Sequence, residues 1–262
     1  MTFSAQNTSI LCPLNDAESF AIIKIAKKLG FETRISLQNG GFTPLFREPL
    51  VTLADLKQNV ITIEMPGPEE EKKIQEGDRQ LKIIDHHHYA SLGLNRDNAK
   101  SSLEQFAELI SHPLSPYEKA IALNDQHYIY GLARAGYPLP MIKEIRLLDL
   151  SLQGYSESEF NQLEKVFSNN PEALKSGISI YRSDLMDKYS YLADLHVMKH
   201  DCVLTNFAIT GPASGNKVQY IWFSGEMKIL EKLFKLGGYG KKSNDDYGYW
   251  GGVFGGDRKS GF

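Results

Sequence analysis

The run Lys82-Ile83-Ile84-Asp85-His86-His87-His88 is an apolar, strand-like segment that ends abruptly in one carboxylate and three consecutive imidazoles. Carboxylate and imidazole are ligands for divalent metal ions. A strand can hold its last side chains rigidly at the carboxyl edge of a sheet, where open α/β sheets bind their ligands. Taken alone, the run is equally compatible with a buried strand meeting a solvated polar turn. It lies mid-chain and takes three of only 7 histidines, so it is not a purification tag.

Three acidic residues stand where other elements would deliver them to the same edge: Asp16 after a first strand, Glu64 after a third, and Asp125 within a helix opening at Pro116. Three carboxylates with one imidazole suit manganese, magnesium or iron better than structural zinc, which recruits thiolates or several histidines. Each acid has a structural alternative. Asn15 and Glu18 have the spacing of a capping box, with Asp16 at the positive end of the helix dipole. Glu64-Met65-Pro66 can simply leave the sheet, and Asp125 can be a surface position. His112, His196 and His200 have no comparable context.

The elements needed to position these groups are legible as a strand and helix alternation. Strands are expected at Ser9–Cys12, Glu32–Ser36, Asn59–Ile63 and Lys82–Ile84, with a helix from Asp16 to Leu29 closed by Gly30. This pattern predicts a parallel sheet with right-handed crossovers. Helices follow at Ser101–Ile110, Pro116–Ala135 and Met141–Leu152, with connecting helices at Ser156–Phe167 and Pro171–Lys175. Cys202–Thr210 and Lys217–Ser224 predict a hairpin, Glu226–Leu236 a short helix, and the glycine- and aromatic-rich residues beyond a packed tail. The expected fold class is α/β, an N-terminal parallel-sheet domain with flanking helices plus a smaller C-terminal α+β domain. The expected domains are residues 1–150 and 179–262, with a helical linker at 151–178.

The 262 residues are 42% hydrophobic, enough for a substantial core, and the net charge of −3 provides no global basic field for a polyanion. Cys12 and Cys202 lack zinc-ribbon or disulfide spacing and are expected to be reduced and buried. No membrane-length apolar run or leader-like amino terminus is evident, so a cytoplasmic protein without membrane contact is expected.

Ile83-Ile84-Asp85-His86-His87 resembles the signature of the DHH phosphoesterase superfamily. Asp16-Ala17 resembles that family's amino-terminal aspartate motif, Glu64 falls where it has a strand-ending aspartate, and Ala122-Leu123-Asn124-Asp125 is similar to its fourth acidic motif. Ile221-Trp222-Phe223-Ser224 and Leu236-Gly237-Gly238-Tyr239-Gly240-Lys241 are similar to the strand and glycine-rich substrate loop of the family's companion domain. The resemblance implies a metal centre between two lobes, with Asp16, Glu64, His86 and Asp125 as ligands. It also implies His87 near the substrate phosphate, Asp85 orienting an imidazole, and His88 assisting. Ser224, Gly237, Gly238, Gly240 and Lys241 would bind substrate.

The chain departs from the family pattern at Ile10 and Leu14, where additional ligands to a second metal would stand, and at Lys241, where a histidine follows the glycines. One divalent ion, manganese before magnesium or iron, is therefore expected rather than two. The implied activity is hydrolysis of a phosphodiester or phosphomonoester in a small nucleotide or short single-stranded oligonucleotide. The alternatives are a degenerate member that binds nucleotide, nucleic acid or a protein partner without catalysis, and a pyrophosphate or polyphosphate hydrolase.

Overall fold

The computed structural model describes residues 3–36, 38, 42–49, 53, 55–76, 78–156, 158, 172–173, 178–182, 189–199, 205–212, 219–242 and 246–254. The chain divides into two compact units, Met1–Asp125 with Leu147–Gly154, and Gln126–Arg146 with Tyr155–Phe262.

The first unit is built on a parallel sheet of β1 (Thr8–Cys12), β2 (Glu32–Ile35), β3 (Asn59–Ile63) and β4 (Gln80–Ile84), in spatial order β2-β1-β3-β4. The two central strands, β1 and β3, are buried along their whole length, as continuous apolar runs in a helix-covered parallel sheet require. Alternation assigns their faces. Leu11 packs with Leu45, Leu56, Val60, Met65 and Ile74, the last from helix α2 (Pro68–Glu76), on one side. Cys12 faces the other way, its Sγ 3.9 Å from the Ser19 carbonyl of helix α1 (Ala17–Lys28).

Helix α1 buries Glu18, Ala21, Ile22 and Ile25, an i, i+3, i+4, i+7 stripe. Its cap is Asp16 rather than the expected Asn15: the Asp16 carboxylate accepts the Ser19 amide at 2.7 Å, and Ser19 Oγ returns a contact to the Asp16 amide at 3.3 Å. The expected closure at Gly30 is present, with φ +80 and its amide on the Lys27 carbonyl. Helix α3 (Ser102–Leu109) starts from a Ser101–Glu104 capping box. Helix α4 (Pro116–Arg134) is interrupted at Tyr128, whose φ of 53° and ψ of −161° are non-helical, and α5 (Leu139–Leu152) follows.

The second unit holds a mixed six-stranded sheet: β7 (Glu172–Ala173), β8 (Ser179–Arg182), β9 (Phe207–Pro212), β10 (Gln219–Glu226), β11 (Tyr239–Lys242) and β12 (Tyr247–Phe254), in order β11-β12-β10-β9-β8-β7. Here β5 (His88–Tyr89) and β6 (Leu94–Asn95) are a separate two-stranded pair of the first unit. Strands β9 and β10 pair antiparallel as expected, and Ala208, Phe223, Met227, Leu230 and Trp250 form a core beneath them. Helix α6 (Tyr189–Lys199) and helix α7 (Met227–Phe234) belong to the same unit.

One expectation is corrected: Glu172–Ala173 is a strand, not part of a helix. Ser179–Arg182 and Tyr189–Lys199 add a strand and a helix that the sequence pattern had not singled out, and the glycine–aromatic tail, expected to pack, supplies β11 and β12. Most of the expected 156–167 helix and Cys202 lie outside the described residues. Gly238 is required in the tail: at φ +92, a Cβ there would sit 2.4 Å from the Gly251 carbonyl oxygen.

Candidate metal centre

Four side chains of the first unit converge where β3, β4, α1 and α4 deliver their ends. His86 Nε2 lies 2.8 Å from Asp125 Oδ2, 3.1 Å from Glu64 Oε1 and 3.8 Å from Glu18 Oε2. One donor atom from each of the four falls within 4.8 Å of every other. Those same atoms are buried, and none has a hydrogen-bond partner of acceptable geometry. Buried polar atoms are paired in the great majority of cases, so four orphans facing one point mark a place for a cation that takes their lone pairs.

The sheet explains the placement. Glu64 directly follows β3 and His86 lies two residues beyond β4, which are neighbours in parallel register. The Glu64 amide donates to the Ile84 carbonyl at 2.9 Å, extending that ladder to the site. Glu64 itself has φ 50°, the left-handed region that a side chain with a Cβ enters only at an energetic cost. Such strain persists where the surroundings over-determine it, and it collects at functional sites.

Burial and crowding set the charges. The Asp16 carboxyl is pushed up to about 8 by burial, then by the charges of Glu64 and Asp125. Glu18 is raised by burial and by Asp125 and Glu64. For His86 burial works downward, but the Asp125 and Glu64 carboxylates pressed against it prevail and carry it up to about 10. Burial likewise opposes ionisation of Glu64, yet His86 and His87 hold its carboxyl below the usual range. The Cys12 thiol is pushed up by burial and by Asp16, Glu64 and Glu18.

The structure thus brings Glu64, His86 and Asp125 together with Glu18, which sequence reasoning missed. Asp16 stands next to the cluster with one carboxylate oxygen engaged as the α1 cap. The one signal for Glu18 is its place on the apolar stripe of α1, although an acid in a first helical turn also has an ordinary explanation in the dipole.

His87 is 47% exposed, its Nδ1 3.3 Å from Asp85 Oδ1 and 3.8 Å from Glu64 Oε1. Asp85 is buried and accepts further from the His87 amide (3.1 Å), the Tyr89 hydroxyl (3.2 Å) and Arg96 (3.4 Å). A carboxylate can only accept from Nδ1–H, so the His87 Nε2 is left for other partners. Burial opposes protonation of His87, but Asp85 and then Glu64 raise it overall. His88 is exposed and enters the β5–β6 ladder opposite Asn95, outside the cluster. Ile10, fully buried, and Leu14, exposed, have aliphatic side chains, so neither position offers a ligand atom.

In the second unit, the Ser224 side chain is buried and hydrogen-bonded to the Tyr130 hydroxyl. Gly237 and Gly238 have positive φ, while Gly240 and Lys241 pair with Trp250 and Tyr249 in the sheet. The Gly237 carbonyl accepts from Trp250 Nε1 at 2.7 Å.

The electrostatics give a pH prediction for the metal-free protein. His86 and Asp16 both have folded values above their ordinary 6.5 and 3.8, so the stability their protons contribute is lost as pH rises through about 10 and about 8 respectively. Thermal unfolding followed in chelator is expected to shift to lower temperature as pH rises from about 6 toward about 10. Manganese is expected to raise the midpoint most at the alkaline end, where no proton competes for the donors.

No family model matches this chain, and no curated protein does. Among solved structures, the pGpG-specific phosphodiesterase PggH from Vibrio cholerae is similar at a TM-score of 0.44 and 9% identity, covering 95% of this chain and 93% of that one. The exonuclease RecJ bound to manganese is similar at 0.33 and 11%, covering 83% and 78%. CDC45 from Entamoeba histolytica is similar at 0.32 and 9%, covering 94% and 92%. Among the described residues, no helix is long and apolar enough to cross a membrane.

Proposed function

We propose that this chain is a metal-dependent phosphoesterase acting on a small nucleotide or short oligonucleotide, with Glu18, Glu64, His86 and Asp125 holding one divalent ion, manganese first. The observation that carries the reading is the set of four buried, hydrogen-bond-orphaned donor atoms facing one point. The ordered motifs that resemble the DHH phosphoesterases support the assignment to phosphate esters. A cation held there would supply Lewis-acid polarisation of a phosphoryl oxygen. Asp85 fixes the His87 ring so that its Nε2 can hold a proton beside the phosphate or pass one to a leaving oxygen. Asp16, at the adjacent helix amino terminus, holds its proton up to about 8 in the metal-free protein and would release it more readily beside a bound cation.

Hydrolysis of a short dinucleotide by the full-length protein tests the reading. Turnover is expected with manganese and not in chelator. Absence of turnover across dinucleotides and nucleotide phosphates, with the ion shown to be bound, would favour binding without catalysis. That second reading is motivated by Ile10 and Leu14, which leave no donors for a paired centre that would stabilise both attacking and leaving oxygens.

A further inference from the structure

A row of rings leads away from the metal centre along the surface of the first unit. The His86 and His87 rings are 4.4 Å apart between centroids, His87 and Tyr89 5.8 Å, and Tyr89 and Phe42 5.9 Å. At the far end the Arg47 guanidinium lies 5.6 Å from the Phe42 centroid and 5.7 Å from that of Phe46. Phe42 is 38% exposed and Phe46 48% exposed, and Arg47 is exposed as well. Among the described residues, no carboxylate comes within ion-pair distance of Arg47.

Two exposed phenylalanines around a guanidinium that has no ion-pair partner among the described residues are poorly explained by packing, because burial of either ring would be favourable. They sit in the segment that follows β2, at the carboxyl edge that also carries the cluster. The same segment holds a second anomaly: Thr43 Oγ1, Gln38 Oε1 and Glu48 Oε2 are buried without hydrogen-bond partners, while Glu48 Oε1 takes both Ser36 Oγ and Gln38 Nε2. Buried polar atoms left over beside an exposed aromatic surface are suited to a ligand with both a π face and polar edges.

We propose that Phe42, Phe46 and Arg47 form a nucleobase-stacking platform that receives the base next to the phosphate held at the metal centre. The inference rests on the phosphoesterase reading and narrows it: the ligand is a base-bearing phosphodiester of dinucleotide length or longer, rather than pyrophosphate or polyphosphate. Aromatic faces accept any base, and a guanidinium over a ring adds cation–π attraction and a partner for the backbone phosphate. The uninterrupted ring row from His87 through Tyr89 to Phe42 is the path along which the nucleotide would lie. Charge complementarity agrees: the acidic cluster takes the cation, and Arg47, beyond the histidines, takes the anionic backbone.

A dinucleotide carrying 2-aminopurine beside its phosphodiester, compared with the same molecule abasic at that position, tests the platform on the full-length protein. Quenching of the fluorescence and a preference of about tenfold for the base-bearing probe are expected, since stacking of one base contributes on that order. Phe42→Ala is expected to abolish most of the preference, and Phe42→Tyr to retain it. Phe42→Leu, which keeps apolar volume but removes the ring face, is expected to behave as alanine does, so a folding defect cannot imitate the result. No preference in the wild type, or a preference that survives both Phe42→Ala and Phe46→Ala, would overturn the platform. Manganese titration of the same samples separates the two readings. Base-dependent quenching with no hydrolysis while manganese is shown to be bound would sink the phosphoesterase reading and leave the platform standing, whereas metal-dependent hydrolysis indifferent to the base would do the reverse.

Discussion

Replacement of His86 by alanine is expected to weaken manganese binding by more than about 100-fold, because changes in groups that merely support a ligand already cost ~10–100-fold. His86 supplies the one nitrogen donor of the cluster, and its Nε2 is the atom against which Glu18, Glu64 and Asp125 are arranged. Without it three carboxylates face one another across a buried space, with only the more distant His87 left to favour the ionised form of Glu64. Metal-dependent turnover is expected to fall with the affinity. Titration calorimetry reads the loss directly, and His112→Ala, outside the cluster, is the control. Undiminished affinity in the His86 variant would place the ion elsewhere.

The second large effect concerns stability of the other unit. Arg146 and Asp194 are each 1% exposed, and the Arg146 Nε and Nη2 groups donate to Asp194 Oδ2 at 3.0 and 2.7 Å. The Arg146 guanidinium also lies 5.4 Å from the Tyr128 ring centroid. Asp194 accepts two hydrogen bonds from a buried guanidinium, so Asp194→Ala, which removes them from a low-dielectric site, is expected to destabilise by about 3–5 kcal/mol. Replacing both partners by apolar residues of similar volume is expected to recover most of that loss. Urea unfolding of the two variants measures the difference; equal destabilisation of single and double variants would mean that packing, not charge, holds the pair.

The sequence made the first sheet legible because β1 and β3 are uninterrupted apolar runs and because Glu64 and His86 stand just past strand ends. Glu64 and His86 were readable for that reason. Glu18 was not, since an acid in the first turn of a helix has an ordinary explanation in the dipole. Its burial becomes evident only when Ala21, Ile22 and Ile25 are seen to share its stripe. Asp16 illustrates the converse: the same carboxylate that motif spacing offers as a ligand is used by the chain to cap α1 through Ser19.

The second unit was harder to read for two physical reasons. Strands β7 and β8 span only Glu172–Ala173 and Ser179–Arg182, too short for a period to emerge. In β12, glycine interrupts the alternation: Gly248, Gly251 and Gly252 stand among the aromatics, and a Cβ on Gly252 would lie 2.4 Å from the Trp250 ring. The pattern records close packing of backbone on ring rather than hydrophobic periodicity. Tyr128 shows a further limit, because no proline or glycine at that point of the Pro116–Arg134 sequence marks the break found there.

Crystals of the full-length protein soaked in manganese, with anomalous scattering recorded at the metal edge, address the central claim most directly. A single peak within bonding distance of Glu18 Oε2, Glu64 Oε1, His86 Nε2 and Asp125 Oδ2 is the predicted result. No peak there, or an ion bound away from these four atoms, would contradict it.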